Sequence, residues 1–411
     1  MDIFESRKDM IRFIDITQEE ENDLQDSPKV VSLFSGSGGL DLGLEWAGFN
    51  TAVCIDIDPD CRETLRFNRP GWKLFESDDN QIAGDIREIE SDELLDFAAL
   101  DSEEVSLVVG GAPCQPFSNI GKRQGRKDSV NGDLFLEFVR IVKGILPKAF
   151  LFENVTGITQ KKHQDVVDYM VGQFQGLGYG ISYTTLNAAD YGVSQKRKRF
   201  FMIGIKGLDK PAFPLPTHFE SEISWEKFVG KLSSTPNSTP KAWITLRQVL
   251  TKIPDNSHSR ADYALMNCSE VVKERMKYIK PGENFHVLPY ELRPPCWRTG
   301  KHQGQDTFGR LVLDRPSVTI RTAAYNPMKG RYIHPTEDRG LSTHEMAAIQ
   351  GFPYSWEFKC HNRKKVTLVS AGRQIGNAVP PSLAKALGLA IKVHRSPCSP
   401  KLSDRRTHKT V

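Results

Sequence analysis

The chain has 411 residues, of which 26% are charged and 39% hydrophobic, the balance of an ordinary soluble globular protein. A chain of this length can bury a large core and predicts two domains. No apolar run approaches the ~18 residues that a membrane span requires, and the first ten residues contain no signal-peptide core. These features exclude an integral membrane protein. The seven cysteines contain no CxxC pair, so we expect no disulfide framework and no metal site, and we expect a reducing cytoplasm.

The net charge of +4 is distributed unevenly along the chain. Residues 1–30 contain nine acidic and four basic residues, whereas residues 216–330 contain seventeen basic and eleven acidic residues. The tail from Lys392 adds six basic residues against one aspartate. A basic second half suits a polyanion such as nucleic acid, although a mildly basic solvated surface has the same composition.

The first ordered unit begins after an acidic leader, residues 1–27, which we expect to be irregular with at most a strand at 11–16. The pattern predicts a buried strand at residues 29–34, a glycine turn at 35–39 and a helix from Leu40. Backbone amides at such a helix start can approach a polar or anionic ligand closely.

A second predicted strand, residues 51–57, ends in Asp56 and Asp58, and Asp58-Pro59 predicts the start of a helix. Asp56 follows Gly36 by 20 residues, the separation at which an acid binds a ribose diol, so the pair indicates an adenosine ligand. NAD would use the same geometry. However, the G-x-G-x-x-G fingerprint fails because Asp41 occupies the third glycine position. Residues 84–86 are predicted to close a further short strand. Asp85 within them either contacts an adenine amino group or belongs to a turn.

The most informative stretch follows an apolar strand predicted at residues 105–109. Glycines and prolines in residues 110–118 place Cys114 on a rigid loop at the carboxyl end of that strand, where ligands gather in open α/β sheets. Cys114 is therefore either a nucleophile or a small buried cysteine. The basic loop that follows, residues 121–127, can close over a phosphate backbone or can be a solvated connection.

Two further motifs follow in the chain. A strand at residues 149–152 delivers Glu153, and a carboxyl group after four apolar residues is either paired or catalytic. A strand pair is predicted at 181–186 and 199–205. Before its second strand lies Gln195-x-Arg197-x-Arg199, whose alternating side chains share one face of an extended segment. Two guanidinium groups there suit a carbonyl or a phosphate, although a surface basic run is the alternative.

After residue 205 the alternation of strand and helix fades, and residues 211–300 become rich in Pro, Ser, Thr and Asn. We expect order to return with a strand at 315–321, a helix capped by Ser342 and a terminal helix at 383–393. The predicted domains are an acidic leader (1–27), a sheet domain (28–215 plus 351–395), an irregular basic domain (216–350) and a basic tail (396–411).

In this order the motifs resemble those of the DNA cytosine-C5 methyltransferases of bacterial restriction-modification systems. The segments that carry the resemblance are Leu33-Phe34-Ser35-Gly36-Ser37-Gly38-Gly39, Pro113-Cys114-Gln115-Pro116-Phe117-Ser118, Glu153-Asn154-Val155, Gln195-Lys196-Arg197-Lys198-Arg199 and Gln374-Ile375-Gly376-Asn377. The resemblance implies an α/β fold of the class I S-adenosylmethionine-dependent methyltransferases, a Rossmann-like sheet with a smaller, irregular DNA-recognition domain.

The resemblance also implies a reaction in which Cys114 adds to C6 of a cytosine flipped out of the duplex, and C5 then accepts a methyl group. Glu153 would bind or protonate N3, Arg197 would hold O2, and Arg199 would brace Glu153 or the loop. The implied cofactor residues, without a metal, are Phe34, Gly36, Gly38, Leu40, Asp56, Ile57, Asp85, Pro113 and Asn377. The implied DNA contacts are Gln115, Ser118, Lys122, Arg123, Gln195 and Thr319.

The expected partner is double-stranded DNA, read by a cytoplasmic, nucleoid-associated monomer that is functionally paired with a restriction endonuclease. Three alternatives remain open from the sequence: an NAD-dependent oxidoreductase, a non-catalytic DNA-binding module and an RNA cytosine methyltransferase. The broken glycine fingerprint counts against the first, and the joint presence of Cys114, Glu153 and Arg197 counts against the second.

Overall fold

Seven strands form the central sheet of the protein. A computed structural model describes residues 2–5, 11–16, 27–76, 84–112, 134–298 and 306–395. The strands of this part of the chain are β1 Asp2–Glu5, β2 Arg12–Asp15, β3 Lys29–Leu33, β4 Asn50–Ile55, β5 Lys73–Leu74, β6 Val105–Gly110, β7 Ala149–Val155, β8 Tyr179–Asn187, β9 Gln195–Lys196, β10 Lys198–Lys206, β11 Phe213–Pro214, β12 His218–Phe219, β13 Lys241–Ala242 and β14 Ser317–Val318.

The helices of the same ranges alternate with the strands in the first half of the chain. They are α1 Gly39–Trp46, α2 Pro59–Asn68, α3 Ser91–Ala98, α4 Leu134–Ile145, α5 Gln164–Gly176, α6 Glu222–Val229, α7 Leu246–Leu250, α8 Glu270–Lys277, α9 Pro295–Arg298, α10 Thr343–Gln350, α11 Leu368–Asn377 and α12 Pro381–Arg395. No helix in these ranges is both long enough and apolar enough to cross a membrane.

The order of strands in the central sheet is β5-β4-β3-β6-β7-β10-β8. The first five are parallel, and β10 runs antiparallel to both of its neighbours. Because the parallel strands share one direction, their carboxyl ends lie along a single edge of the sheet. This arrangement confirms the predicted Rossmann-like α/β class.

Successive residues of β3 point to opposite faces of the sheet, and each face has its own core. Val31 lies in a cluster with Phe138 and Phe150, while Val30 lies in a second cluster with Leu44 of α1 and Leu387 of α12. Both faces of β3 are therefore covered, which is why its sequence is apolar at consecutive positions.

The acidic leader contains more regular structure than its composition suggests. The predicted strand at 11–16 is present as β2, and β1 pairs with it in an antiparallel hairpin that the sequence did not indicate. On its other side β2 pairs in parallel with β11. The predicted strand at 84–86 is wrong: the Asp85 carboxylate accepts the Arg87 N–H and caps a short 3₁₀ helix at Ile86–Glu88.

The hydrophobic residues of 216–350 are shared among three clusters. Leu232 lies in the cluster that contains Val30, and Trp225 and Phe228 pack against it. One small core, which includes Met276, Phe285 and Trp297, is built entirely from residues 268–333. A third core joins Leu42 of α1 to Met346 of α10 and other residues after 310. The end of the predicted irregular domain therefore packs directly on the sheet domain.

Candidate active site

The turn after β3 and the acid after β4 meet at the carboxyl edge of the sheet. Phe34 and Gly36 both have φ of 55°, which bends the chain sharply before α1. The Gly36 N–H donates to Asp56 Oδ2 at 2.7 Å, and the Asp58 N–H donates to Oδ1 at 2.8 Å. Burial raises the pKa of Asp56 to about 6, and these two N–H donors oppose the shift.

The residues around Asp56 form an exposed surface. Ile57 is 60% exposed, which is unusual for an isoleucine and leaves an apolar surface beside the acid. Arg62 Nη1 donates to the carbonyl oxygens of Asp56 and Ile57, each at 2.9 Å, and fixes the backbone of these two residues. Asp85 pairs with Arg87, and that hydrogen bond lowers the pKa of the Asp85 carboxyl group.

The third side of this cleft comes from α11, more than 300 residues along the chain. Ser37 Oγ donates to the Gln374 carbonyl at 3.1 Å, and Arg373 Nη2 donates to Asp58 Oδ1 at 3.1 Å. Asn377, at the end of α11, is exposed. Leu40 instead packs in the core with only 6% exposure, so it supports the turn from below and does not line the cleft.

Asp41 is a functional candidate that the sequence reading treated only as a missing glycine. Its side chain is fully buried beneath the glycine turn, and no group of the described residues is in hydrogen-bond geometry with either carboxylate oxygen. Burial raises its pKa to about 6, with Ser32 opposing and the Asp56 charge adding to the shift. An acid on the buried side of an otherwise apolar helix start was the available signal.

Glu153 of β7 and Arg199 of β10 are diagonal neighbours on adjacent strands at the same edge, since Arg199 pairs with Val155. Arg199 Nε lies 3.2 Å from Glu153 Oε1, and both side chains are largely buried. Burial raises the pKa of Glu153, while the charges of Arg199 and Arg197 oppose that rise. The predicted bracing of Glu153 by Arg199 is thus present in the structure.

The chain leaves β6 directly beside Glu153. Asn154 Nδ2 donates to the Ala112 carbonyl at 3.0 Å, which fixes the start of the loop that follows. A Cβ on Gly111 would lie 2.8 Å from Glu153 Oε2, so only glycine leaves the carboxylate its present position. The second glycine of Gly110-Gly111 was the sequence signal for this contact.

Arg197 and Gln195 are placed differently from the expectation. Arg197 is 1% exposed and donates from Nη1 to the Ile320 carbonyl and from Nη2 to the Gly376 carbonyl, at 2.9 and 2.8 Å. Both amino nitrogens are therefore used within the protein, and burial lowers the pKa of this guanidinium to about 9. Arg199, not Arg197, is the arginine next to Glu153.

Gln195 is fully buried, and both ends of its amide are bonded inside the protein, so it cannot contact DNA as predicted. Thr319, the other described DNA candidate, is half-buried, and its Oγ1 donates to the Lys196 carbonyl at 2.7 Å. The remaining predicted site residues lie outside the described residues. They are Pro113, Cys114, Gln115, Ser118, Lys122 and Arg123.

Comparison with known proteins identifies the family of this chain. The family model for C-5 cytosine-specific DNA methylases matches residues 28–393. Type II methyltransferase M.Sau96I of Staphylococcus aureus is 33% identical over 92% of this chain and 78% of its own length. Type II methyltransferase M.NgoPII of Neisseria gonorrhoeae is 32% identical over 89% of this chain and 95% of its own length.

Among solved structures, a mutant form of Spodoptera frugiperda DNMT2 superposes with a TM-score of 0.57 at 14% identity, covering 89% of this chain and 99% of that one. At that identity the likeness supports the fold alone. The family match spans nearly the whole chain and includes the sheet, the glycine turn and the Glu153 edge. The chain therefore belongs to the C-5 cytosine-specific DNA methylase family and is a DNA (cytosine-5-)-methyltransferase.

Proposed function

We propose that the protein transfers the methyl group of S-adenosylmethionine to C5 of a cytosine flipped out of a specific short duplex site, through a covalent bond between Cys114 and C6. The observation that carries the proposal is the position of Glu153. Its carboxyl group is buried, lies beside Arg199, and nearly touches Gly111 at the end of β6. Two residues separate Gly111 from Cys114, so covalent geometry keeps the Cys114 Cα within about 11 Å of Gly111 Cα.

Cytosine C5 is a poor nucleophile, and the proposed steps overcome this. The Cys114 thiolate adds to C6 while Glu153 delivers a proton to N3, which leaves an electron-rich enamine at C5. Burial favours the protonated form of Glu153 that this step needs. C5 then takes the methyl group, which releases S-adenosylhomocysteine, and a base removes the C5 proton. The electrons of that C–H bond expel the Cys114 thiolate, and N3 returns its proton to Glu153.

The structure changes one assignment within this scheme. Arg199 has its guanidinium beside the Glu153 carboxylate, whereas Arg197 donates both amino nitrogens to backbone carbonyls. We therefore assign the contact with cytosine O2 to Arg199. A single arginine next to Glu153 can bind O2 and limit the charge on the carboxyl group at the same time.

The cleft bounded by residues 34–38, Asp56–Ile57 and Asn377 fits S-adenosylmethionine. Asp56 has unused acceptor capacity for a ribose hydroxyl, exposed Ile57 offers an apolar contact to adenine, and exposed Asn377 offers an amide. The cofactor supplies an electrophilic methyl group. Asp85 can reach the adenine amino group only while it also accepts from Arg87.

The biological setting is a bacterial restriction-modification system. The relatives described as Type II methyltransferases support this setting. We infer that residues 216–350 read double-stranded DNA, that the protein acts as a monomer at the nucleoid, and that a cognate endonuclease cleaves the unmodified site.

The experiment compares native protein with a Cys114→Ala variant. DNA from cells expressing each is analysed by bisulfite sequencing, and duplexes carrying 5-fluorocytosine at the site found are incubated with protein and S-adenosylmethionine. We expect methylation and a covalent protein–DNA complex for the native protein and neither for Cys114→Ala. Cys296→Ala, which removes a different cysteine, serves as the matched control and should retain both.

Normal methylation by Cys114→Ala would overturn the covalent mechanism. Transfer to tRNA in place of duplex DNA by the native protein would overturn the substrate.

A further inference from the structure

The backbone of Ile320 is held on both sides by Gln195 of the short strand β9 and by Arg197, the residue that follows this strand. Its N–H donates to Gln195 Oε1 at 3.0 Å, and its carbonyl accepts from Arg197 Nη1 at 2.9 Å. Gln195 and Arg197 are both essentially fully buried. The same strand also pairs in parallel with β14, immediately before Thr319. Residues 317–320 are therefore fixed to β9 by backbone and side chain together.

The other ends of the same two side chains reach the cofactor side of the molecule. Arg197 Nη2 donates to the Gly376 carbonyl at 2.8 Å. Gln195 Nε2 donates to Gln350 Oε1, and Gln350 Nε2 donates to the Ala378 carbonyl. Gly376 and Ala378 are the residues on either side of Asn377. The two chains of hydrogen bonds thus end on the carbonyls of the two residues that flank a proposed cofactor residue.

The segment of residues 320–322 and helix α11 are in close backbone contact. A Cβ on Gly376 would lie 2.4 Å from the Thr322 backbone nitrogen, so α11 lies directly against the backbone of residues 320–322. A displacement of that segment must therefore move α11 or break the hydrogen bonds of Arg197. Packed interfaces of this kind pass a shift on as a rigid contact.

We propose that Gln195 and Arg197 are positioning residues that couple the docking of DNA at residues 317–322 to the binding of the cofactor at Asn377. This inference rests on the proposed function, because it takes Thr319 and Asn377 as the two ligand contacts. Coupling of two ligands through a protein is reciprocal, so DNA should tighten the cofactor as much as the cofactor tightens DNA.

Lysine at position 197 provides the sharpest variant. Arg197→Lys keeps the cation, but a single ammonium at the end of a flexible chain replaces a planar fork that bonds two carbonyls at once. Lys198→Ala is the matched control, since it removes an exposed cation from the adjacent position. Gln350→Met is a second test variant, which breaks only the branch that ends at Ala378.

The measurement is the Kd of S-adenosylhomocysteine by calorimetry, with and without saturating duplex that carries the site found by bisulfite sequencing. The ratio of the two values is the coupling factor, and typical factors are about 5–150. We expect Arg197→Lys to reduce the factor at least about fivefold and Gln350→Met to reduce it less, with the DNA-free Kd nearly unchanged. Lys198→Ala should match the native protein.

A native-like coupling factor in folded Arg197→Lys and Gln350→Met would overturn the inference. A decrease in kcat with an unchanged coupling factor would also overturn the inference, because that result would indicate that Arg197 contacts the cytosine. Methylation by the native protein in the same preparation tests the proposed function separately, so failure of one is distinguishable from failure of the other.

Discussion

The central sheet and residues 216–342 are stabilised in different ways. In the sheet domain, aromatic side chains fill the space between strand and helix. Phe150 of β7 and Phe174 of α5 have ring centroids 4.1 Å apart, and Phe138 lies 5.1 Å from Phe152. All four rings are completely buried. Such a core is held by apolar burial and close packing.

In residues 216–342, buried charged side chains contribute much of the stabilisation. Arg310 is only 5% exposed and donates to the backbone carbonyls of Met276, Ile279, His334 and Glu337. Asp262, which is 1% exposed, accepts from Arg260 and pairs with His344. Where short elements leave carbonyls without strand or helix partners, an arginine can satisfy several of them at one point.

The comparison indicates that residues 216–342 can keep a defined shape without long strands. It also predicts that the two regions respond differently to mutation. Loss of a buried polar network should unfold the chain locally, whereas loss of an aromatic core residue should destabilise the whole sheet.

The largest effect is expected for Arg310→Met, which removes one donor from four backbone carbonyls, three of them buried. We expect a loss of about 4–5 kcal/mol, confined to residues 268–338. Hydrogen exchange should show rapid exchange there while β3, β6 and β7 stay protected. Global unfolding with equal loss of protection in the sheet would contradict the comparison.

Phe174→Ala should cost about 3–4 kcal/mol, because it opens a cavity in the aromatic cluster. Here the loss should be global. Urea unfolding followed by circular dichroism should show one transition at lower denaturant, and hydrogen exchange should quicken across the whole sheet.

Asp41→Asn tests a buried carboxyl group in the sheet domain that lacks a hydrogen-bond partner among the described residues. Its folded pKa, about 6, exceeds the ordinary aspartate value of 3.8, so the group stabilises the fold below pH 4 relative to higher pH, and that stability is lost as pH rises through 6. At pH 8 the ionised form costs on the order of 3 kcal/mol.

We therefore expect Asp41→Asn to be more stable than the native protein at pH 8 and to lose this advantage by pH 4. Urea unfolding of both proteins at the two pH values measures the difference. A difference that does not vary with pH would show that Asp41 is not the responsible group.

The smallest effect on stability is expected for Gly111→Ala. The added methyl group would meet Glu153 Oε2 at 2.8 Å, and the carboxylate would have to move. Misplacement of a catalytic group typically lowers the rate by about 10- to 100-fold, or about 1–3 kcal/mol of barrier. Steady-state kinetics should show the lower kcat, while the melting temperature should stay close to that of the native protein.

Much of the sheet was predictable from local pattern. The apolar runs at 29–34, 105–109 and 149–152 correspond to β3, β6 and β7, and Ser342 caps α10 as its spacing with Glu345 indicated. These features depend on neighbours in sequence, where periodicity and capping rules apply.

The roles of Gln195 and Arg197 were not predictable in the same way. Alternation places them on one face of an extended segment, but the groups that cover that face come from elsewhere. The Arg197 acceptors lie 123 and 179 residues away in the chain. The motif is therefore recognisable from local sequence. Only the tertiary structure shows that Arg197 is buried against backbone carbonyls and that Arg199 lies next to Glu153.

The reversed direction of β10 has a consequence for insertions and deletions. Because this strand runs against β7, the residues that precede it arrive at the same edge as the residues that end β7, with Arg199 opposite Val155 and Phe201 opposite Glu153. Side chains alternate between the faces of a sheet, and pairing with β7 fixes the register of β10. Adding or removing one residue between 196 and 199 would therefore leave Arg199 near Glu153 but turn Gln195 to the opposite face. The spacing of this short basic run is therefore as restricted as its chemistry.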